Sequence, residues 1–318
     1  MNAPIATSWF KDWAELWFEP SIPILIMTMS FFVATSCALV GNYLVLRRIS
    51  LVGDAISHSV LPGIVIAFLI SSSRASWPMF LGALAAGLVT TSVIELIHSR
   101  SRIKQDAAIG ITFSTMFAIG VIMVSAFAGQ IDLDLDCVLY GKLEAIPAGA
   151  MSTIFGLEIP RRVVVMGAVT GVVVVLVVLF YKELLVSSFD PGLAASLGLN
   201  PGLVHYLLMC VLSIIVVSAF EAVGAVLVIA MLILPASTAY LLTDRLWLMM
   251  LLSVLHGLIS SIGGIHLAFV LGCPAAAAMV VLGGAIFVAV WLFSPAQGLV
   301  VRWLHRGREI EIPLELGQ

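Results

Sequence analysis

Runs of roughly 20 apolar residues, each closed by a charge, a proline or a glycine, recur from residue 22 to residue 293. As an α-helix, a run of that length crosses a hydrocarbon core of about 30 Å. In lipid every backbone N–H and C=O must find its partner within the protein, so one fold class is open to such a chain: an all-α, polytopic bundle of membrane helices. Eight to nine transmembrane helices are expected, with candidates at 22–46, 51–71, 77–97, 106–128, 163–181, 203–220, 223–242, 246–264 and 274–293. Only 10% of the 318 residues are charged and 61% are hydrophobic. A soluble domain carries about 25% charged residues, so the lipid bilayer is the environment this surface fits and no soluble domain of any size is attached.

Lys and Arg orient the spans, because positive charge is retained on the cytoplasmic side. With the N-terminus outside, Arg47, Arg48, Arg100, Arg102, Lys104, Lys182, Arg245, Arg302, Arg306 and Arg308 fall inside, ten of the fifteen cations. Arg161 and Arg162 fall outside, and would move inside if 137–158 crossed the membrane. Lys142, Glu144, Pro147 and Glu158 interrupt that stretch, so residues 129–160 read as an external excursion with a short surface helix. The domain order is then an N-terminal interfacial segment (1–20), a transmembrane domain (21–295) and a cytoplasmic C-terminal tail (296–318). Residues 1–20 lack the basic end, apolar core and cleavage site of a signal peptide, and their Trp and Phe residues suit the membrane interface. Cys37, Cys137, Cys210 and Cys273 are widely spaced with no CxxC, which indicates neither a disulfide framework nor a structural zinc site. A net charge of −3 with no basic tract gives no reason to expect a nucleic-acid partner.

Within the second span, Asp54 and His58 stand four positions apart in Gly-Asp-Ala-Ile-Ser-His-Ser-Val-Leu-Pro-Gly. On a helix that spacing puts both side chains on one face. Ionisable groups are costly in a membrane span and mark an ion or substrate path. A carboxylate oxygen with a neutral imidazole nitrogen suits Mn²⁺, Zn²⁺ or Fe²⁺. The spacing equally allows Asp54 to cap the helix and His58 to bond a backbone carbonyl. Pro62 and Gly63 follow the pair, and breakers of this kind free backbone groups that can line a cavity. Two ligands fall short of the four to six that such an ion takes, so a two-fold dimer would complete the set on its axis.

Other ionisable residues carry weaker claims. Glu95 and His98, beside Arg100 and Arg102, read as an interfacial ion pair. Glu221, between the sixth and seventh spans, is either a solvated turn residue or an additional metal ligand. His256 and His266 flank a stretch of small residues suited to close helix packing, and His205 opens a span with no special role. Asp132, Asp134 and Asp136 alternate before Cys137; extended, they would face one side, either attracting a cation or a basic docking partner or simply keeping a loop solvated. Finally, Ser188 to Gly198 reads as a short helix capped by Asp190, started by Pro191 and ended by Gly198. A capped apolar helix outside the bilayer is expected to be a seat for a partner.

Together these segments carry a family resemblance. Arg47 to Gly63, then Asp106-Ala107-Ala108-Ile109-Gly110-Ile111, Asp190-Pro191 with Ala194 and Gly198, and Ala222-Val223-Gly224-Ala225 leading to Leu234-Pro235-Ala236 resemble, in order, the membrane permeases of bacterial manganese, zinc and iron ABC importers. The similarity runs from about residue 22 to 295. It implies a type II ABC importer-like permease of the inner membrane. Its partners would be a second permease, cytoplasmic ATP-binding subunits and an extracytoplasmic metal-binding protein. Asp54 and His58 then match transit-site residues for the transported metal, and residues 189–199, with Phe189, Asp190, Pro191, Ala194 and Gly198, match the helix that couples to the ATPase. No permanently bound cofactor is implied. Glu221 stands where a neutral polar residue is usual and Cys137 where histidine is common, so metal preference is not inherited.

No GxxxxGK[ST] phosphate loop occurs, so an ATP site of that type must lie on a partner and the chain is not expected to be an enzyme. A gradient-driven secondary metal transporter would also use buried Asp and His, but normally with matched repeats, and the C-terminal half has no second Asp-x-x-x-His. An intramembrane metalloprotease would need His-Glu-x-x-His, which is absent.

Overall fold

A computed structural model describes residues 21–71, 76–127, 143, 146, 151–154, 157–294 and 298. The described elements are helices α1 (Ser21–Leu46), α2 (Val52–Ser71), α3 (Ser76–Arg100) and α4 (Gln105–Phe127), strands β1 (Met151–Ile154) and β2 (Leu157–Pro160), then helices α5 (Arg161–Leu179), α6 (Tyr181–Phe189), α7 (Pro191–Ser196), α8 (Pro201–Leu242), α9 (Leu246–Leu271) and α10 (Ala275–Phe293). Among these residues nine helical stretches are long and apolar enough to cross a membrane, matching the nine candidates read from the sequence. The all-α polytopic bundle is therefore the observed fold.

Helix α8 holds two spans. Its 42 residues would reach about 63 Å as one rod, roughly twice the hydrocarbon core, so its halves cross separately. The break is at Gly224, whose φ of 79° and ψ of 165° lie in a region that essentially only glycine visits. Around α8 the bundle has two sides. Helices α1, α9 and α10 pack on one, and α2 and α3 on the other, with α4 behind α2. Tyr43 and Leu44 of α1 and Leu212, Leu227 and Leu232 of α8 are fully buried in this core. Large apolar residues such as Val172, Val175 and Val178 of α5 face outward, where lipid is the solvent.

Small residues set the helix separations. A Cβ on Gly63 of α2 would collide with the carbonyl oxygen of Gly82 in α3, and one on Gly82 with that of Gly63. A Cβ on Gly41 would meet the Leu232 carbonyl oxygen, and one on Gly53 the Leu232 side chain. Leu232 lies ten residues before the end of α8 at Leu242, about 15 Å along its axis. The first turn of α2 consequently lies inside the bundle rather than at its rim.

One expectation is corrected. Helix α9 continues to Leu271 instead of stopping at 264, because Gly263 and Gly264 act as contact points, not breakers: side chains there would meet Leu282 and Met279 of α10. The chain leaves α9 at Gly272, in the left-handed region at φ 62°. In the excursion at 129–160, Met151–Ile154 and Leu157–Pro160 pair as antiparallel strands, Met151 opposite Pro160 and Ile154 opposite Leu157, and the remainder, where a short surface helix is expected, lies mostly outside the described residues. Thr153, Ile154 and Ile159 are β-branched and favour the strand. Arg161 and Arg162 open α5 directly after it. The segments 1–20 and 129–142, with Asp132, Asp134, Asp136 and Cys137, and most of the tail at 296–318, lie outside the described residues.

Candidate metal-transit site

The sequence places Asp54 in the first turn of α2 and His58 one turn later, and the fold brings them together: His58 Nε2 lies 3.4 Å from Asp54 Oδ1. Neighbouring hydroxyls do not compete for the pair, since Ser57 Oγ donates to the Gly53 carbonyl at 3.0 Å and Ser59 Oγ to that of Ile56 at 3.1 Å. The side chains of His58 and Asp54 remain 32% and 38% exposed on an otherwise apolar helix. Within the isolated chain, two hydrophilic groups thus open onto a surface that the rest of the protomer leaves uncovered.

Helix α4 walls the histidine. Phe113 sits with its ring centroid 5.3 Å from that of His58 at 56°, and Phe117 at 5.9 Å in an edge-on arrangement. The two phenylalanines are one turn apart and touch each other at 6.2 Å. Their role was not anticipated. The only signal in the sequence is their i, i+4 spacing, which any buried apolar stripe shares. Among the described residues no group of three His, Cys, Asp or Glu side chains lies close enough to hold a metal ion. The pair thus presents a carboxylate oxygen and an imidazole nitrogen side by side.

The other residues singled out by sequence lie apart from this pair. Glu221 falls within α8, three residues before the break at Gly224, as a turn residue would; its side chain is not among those described. His256 of α9 is buried beside Ser260 and facing Gly283 of α10, in the close-packed part of the bundle. Glu95, expected beside Arg100 and Arg102, instead pairs with His205 of α8, its Oε2 3.2 Å from His205 Nε2. Sequence gave no hint of this because the partners are 110 positions apart. The ring's other nitrogen, Nδ1, lies 3.3 Å from Arg47 Nη1. A guanidinium can only donate, so Nδ1 accepts, the ring proton sits on Nε2 and donates to Glu95, and this imidazole has no lone pair left for a metal. Among the described residues, Asp54–His58 and Glu95–His205 are the carboxylate–imidazole pairs, and only the second is also bonded to an arginine.

The short helix α7 has the predicted caps. Asp190 Oδ1 accepts from the Leu193 N–H at 2.9 Å, Pro191 is the first helical residue, and Gly198 follows the end at φ 84°. The Leu199 N–H reaches the Ala194 carbonyl at 3.0 Å and closes the end. Ala194 is buried, whereas Phe189, Leu193 and Leu197 are 57%, 49% and 64% exposed. Helix α6, which ends at Phe189, was not foreseen.

Nine candidate spans among the described residues make this a multi-pass membrane protein. Residues 23–294 match the model of the ABC 3 transport family, and the chain belongs to that family. It is 42% identical over 281 residues to the manganese transport system membrane protein MntD of Bacillus subtilis (strain 168), covering 88% of this chain and 95% of that one. It is 45% identical over 279 residues to the zinc transport system membrane protein TroD of Treponema pallidum (strain Nichols), covering 88% and 76%. Its fold matches a solved structure titled PsaBC from Streptococcus pneumoniae in complex with Fab, with a TM-score of 0.76 and 30% identity over 94% of this chain and 99% of that one. The protein is thus an ABC transporter permease, a multi-pass protein of the bacterial inner membrane.

Proposed function

We propose that this chain is the transmembrane permease of an ATP-driven importer of a divalent transition metal, Mn²⁺, Zn²⁺ or Fe²⁺. The metal would be received from an extracytoplasmic binding protein and passed inward between two permeases. The observation that carries this reading is the Asp54–His58 pair, 3.4 Å apart and about one third exposed on the internal helix α2. A carboxylate and a neutral imidazole match borderline divalent ions, and one chain supplies only two ligands where four to six are needed, so a second permease facing the first doubles the set. Relatives named for manganese and zinc transport support the same ion class.

Energy comes from partner subunits, since no phosphate-binding loop occurs in this chain. With the N-terminus outside, α7 lies on the cytoplasmic side. Its exposed Leu193, with the exposed Phe189 and Leu197 on either side of the helix, supplies apolar surface that suits a groove on the ATP-binding subunit. Asp132, Asp134 and Asp136 would then lie outside, where they suit a basic face of the binding protein. Substituting Asp54→Ala or His58→Ala should abolish uptake of the cognate metal, measured one ion at a time, while insertion and complex assembly persist. Normal uptake by both variants rules out the pair as the transit site.

A further inference from the structure

Arg47 lies in the turn between α1 and α2 and its side chain reaches α6 and α8. Its Nε donates to Ser188 Oγ at 3.0 Å and its Nη2 to Ser187 Oγ at 2.9 Å, both in α6, which runs directly into α7. Its Nη1 donates to His205 Nδ1 at the start of α8, and His205 Nε2 hands the chain of hydrogen bonds to Glu95 near the end of α3. Burial works against the guanidinium charge and lowers its pKa from the ordinary value, so the acceptors Ser187, Ser188 and His205 are what hold it in place.

The backbone around Arg47 is equally fixed. Helix α1 ends in a tight turn in which Arg48 adopts φ 60°, unusual for a residue with a side chain, while the Ile49 N–H donates to the Leu44 carbonyl at 2.9 Å. The Val52 N–H donates to the Ile49 carbonyl at 3.1 Å, and α2 begins there, two residues before Asp54. Helix α3, gripped through Glu95, packs along α2 at the Gly63–Gly82 crossing.

We infer that Arg47 is a positioning residue of the transport cycle: its fork ties α6 and α7 to the turn that launches α2 and, through His205 and Glu95, to α8 and α3. Movement of α7 is thereby converted into movement of the Asp54–His58 pair. This rests on α7 being the seat of the ATP-binding subunit. The relay needs a planar donor of three directed hydrogen bonds, which a lysine cannot supply, and a group between Arg47 and Glu95 that accepts on one side and donates on the other.

The test uses the assembled transporter and reads ATP hydrolysed per metal ion imported. Arg47→Lys should keep the ATP-binding subunit bound and Asp54–His58 able to bind the cognate metal, yet raise that ratio about tenfold or more, the scale of losing charge-assisted hydrogen bonds. His205→Leu should do the same, and His205→Gln, whose amide both accepts and donates, should restore coupling to within about twofold. Should Arg47→Lys fail to assemble, the double variant Ser187→Ala with Ser188→Ala leaves the arginine in place and should still uncouple. An unchanged ratio in an assembled Arg47→Lys, or equal loss in His205→Leu and His205→Gln, overturns the inference. Failure of the unaltered chain to retain any ATP-binding subunit would instead overturn the reading of α7 on which it rests.

Discussion

Breaking α7 should disconnect the permease from its energy source without touching the metal pair. Asp190→Ala removes the carboxylate that accepts from Leu193 N–H at 2.9 Å, a cap worth about 1 kcal/mol. Ala194→Pro deletes the Ala194 N–H to Asp190 carbonyl bond of 3.0 Å and places a ring against the preceding turn, costing about 3 kcal/mol or more. The sum of about 4 kcal/mol falls on a helix of only six residues, a length that is marginal in water before any change. Since each 1.4 kcal/mol is a factor of about ten, the helical seat should fall about a thousandfold in population. Co-purification of the ATP-binding subunit and metal uptake should both be lost in the double variant, while metal binding by the same preparation and its thermal transition stay close to the parent's. Unchanged ATPase association together with unchanged uptake would refute the assignment of α7. Uptake sustained with no ATPase present would point to a gradient-driven carrier.

Two further outcomes follow from the geometry. Phe113→Ala removes the ring packed on His58 at 5.3 Å, and with an aromatic pair worth about 0.5–1.5 kcal/mol it should weaken metal affinity by up to about tenfold, read by equilibrium metal titration of the purified protein; unchanged affinity would show that the ring does not position the ligand. Gly63→Ala or Gly82→Ala should destabilise by about 1–3 kcal/mol, because the new methyl meets backbone oxygen across the crossing, whereas Gly284→Ala, with open space around it, should be neutral or stabilising; thermal unfolding in detergent distinguishes the two cases, and equal effects at both would contradict the close approach of α2 and α3.

The spans were legible because lipid imposes length and composition on every one of them, and a 20-residue apolar run has few other readings. That Asp54 and His58 meet was legible from their helical spacing alone. The capped helix at 191–196 was readable from Asp190, Pro191 and Gly198, whose local chemistry depends on nothing distant. Long-range pairing was not readable. Glu95 stands next to arginines in sequence yet bonds His205, because helix packing rather than proximity along the chain decides what an interfacial side chain meets. Gly263 and Gly264 illustrate the other failure: a glycine that permits close contact and one that ends a helix look alike until the neighbour, here Met279, is known.

The break at Gly224 has a consequence for how this protein tolerates change. One residue, at φ 79° and ψ 165°, does the work of a loop between the sixth and seventh spans, so no spare chain exists there to absorb an insertion or deletion. Adding or removing a single residue between Phe220 and Ala225 would turn the second half of α8 by about 100° relative to the first. Leu232 would swing away from Gly41 and Gly53, and with it the support beneath the first turn of α2. Epitope tags, protease sites and natural length variation should therefore be excluded from this corner, even though a hydropathy plot marks it as a junction between spans.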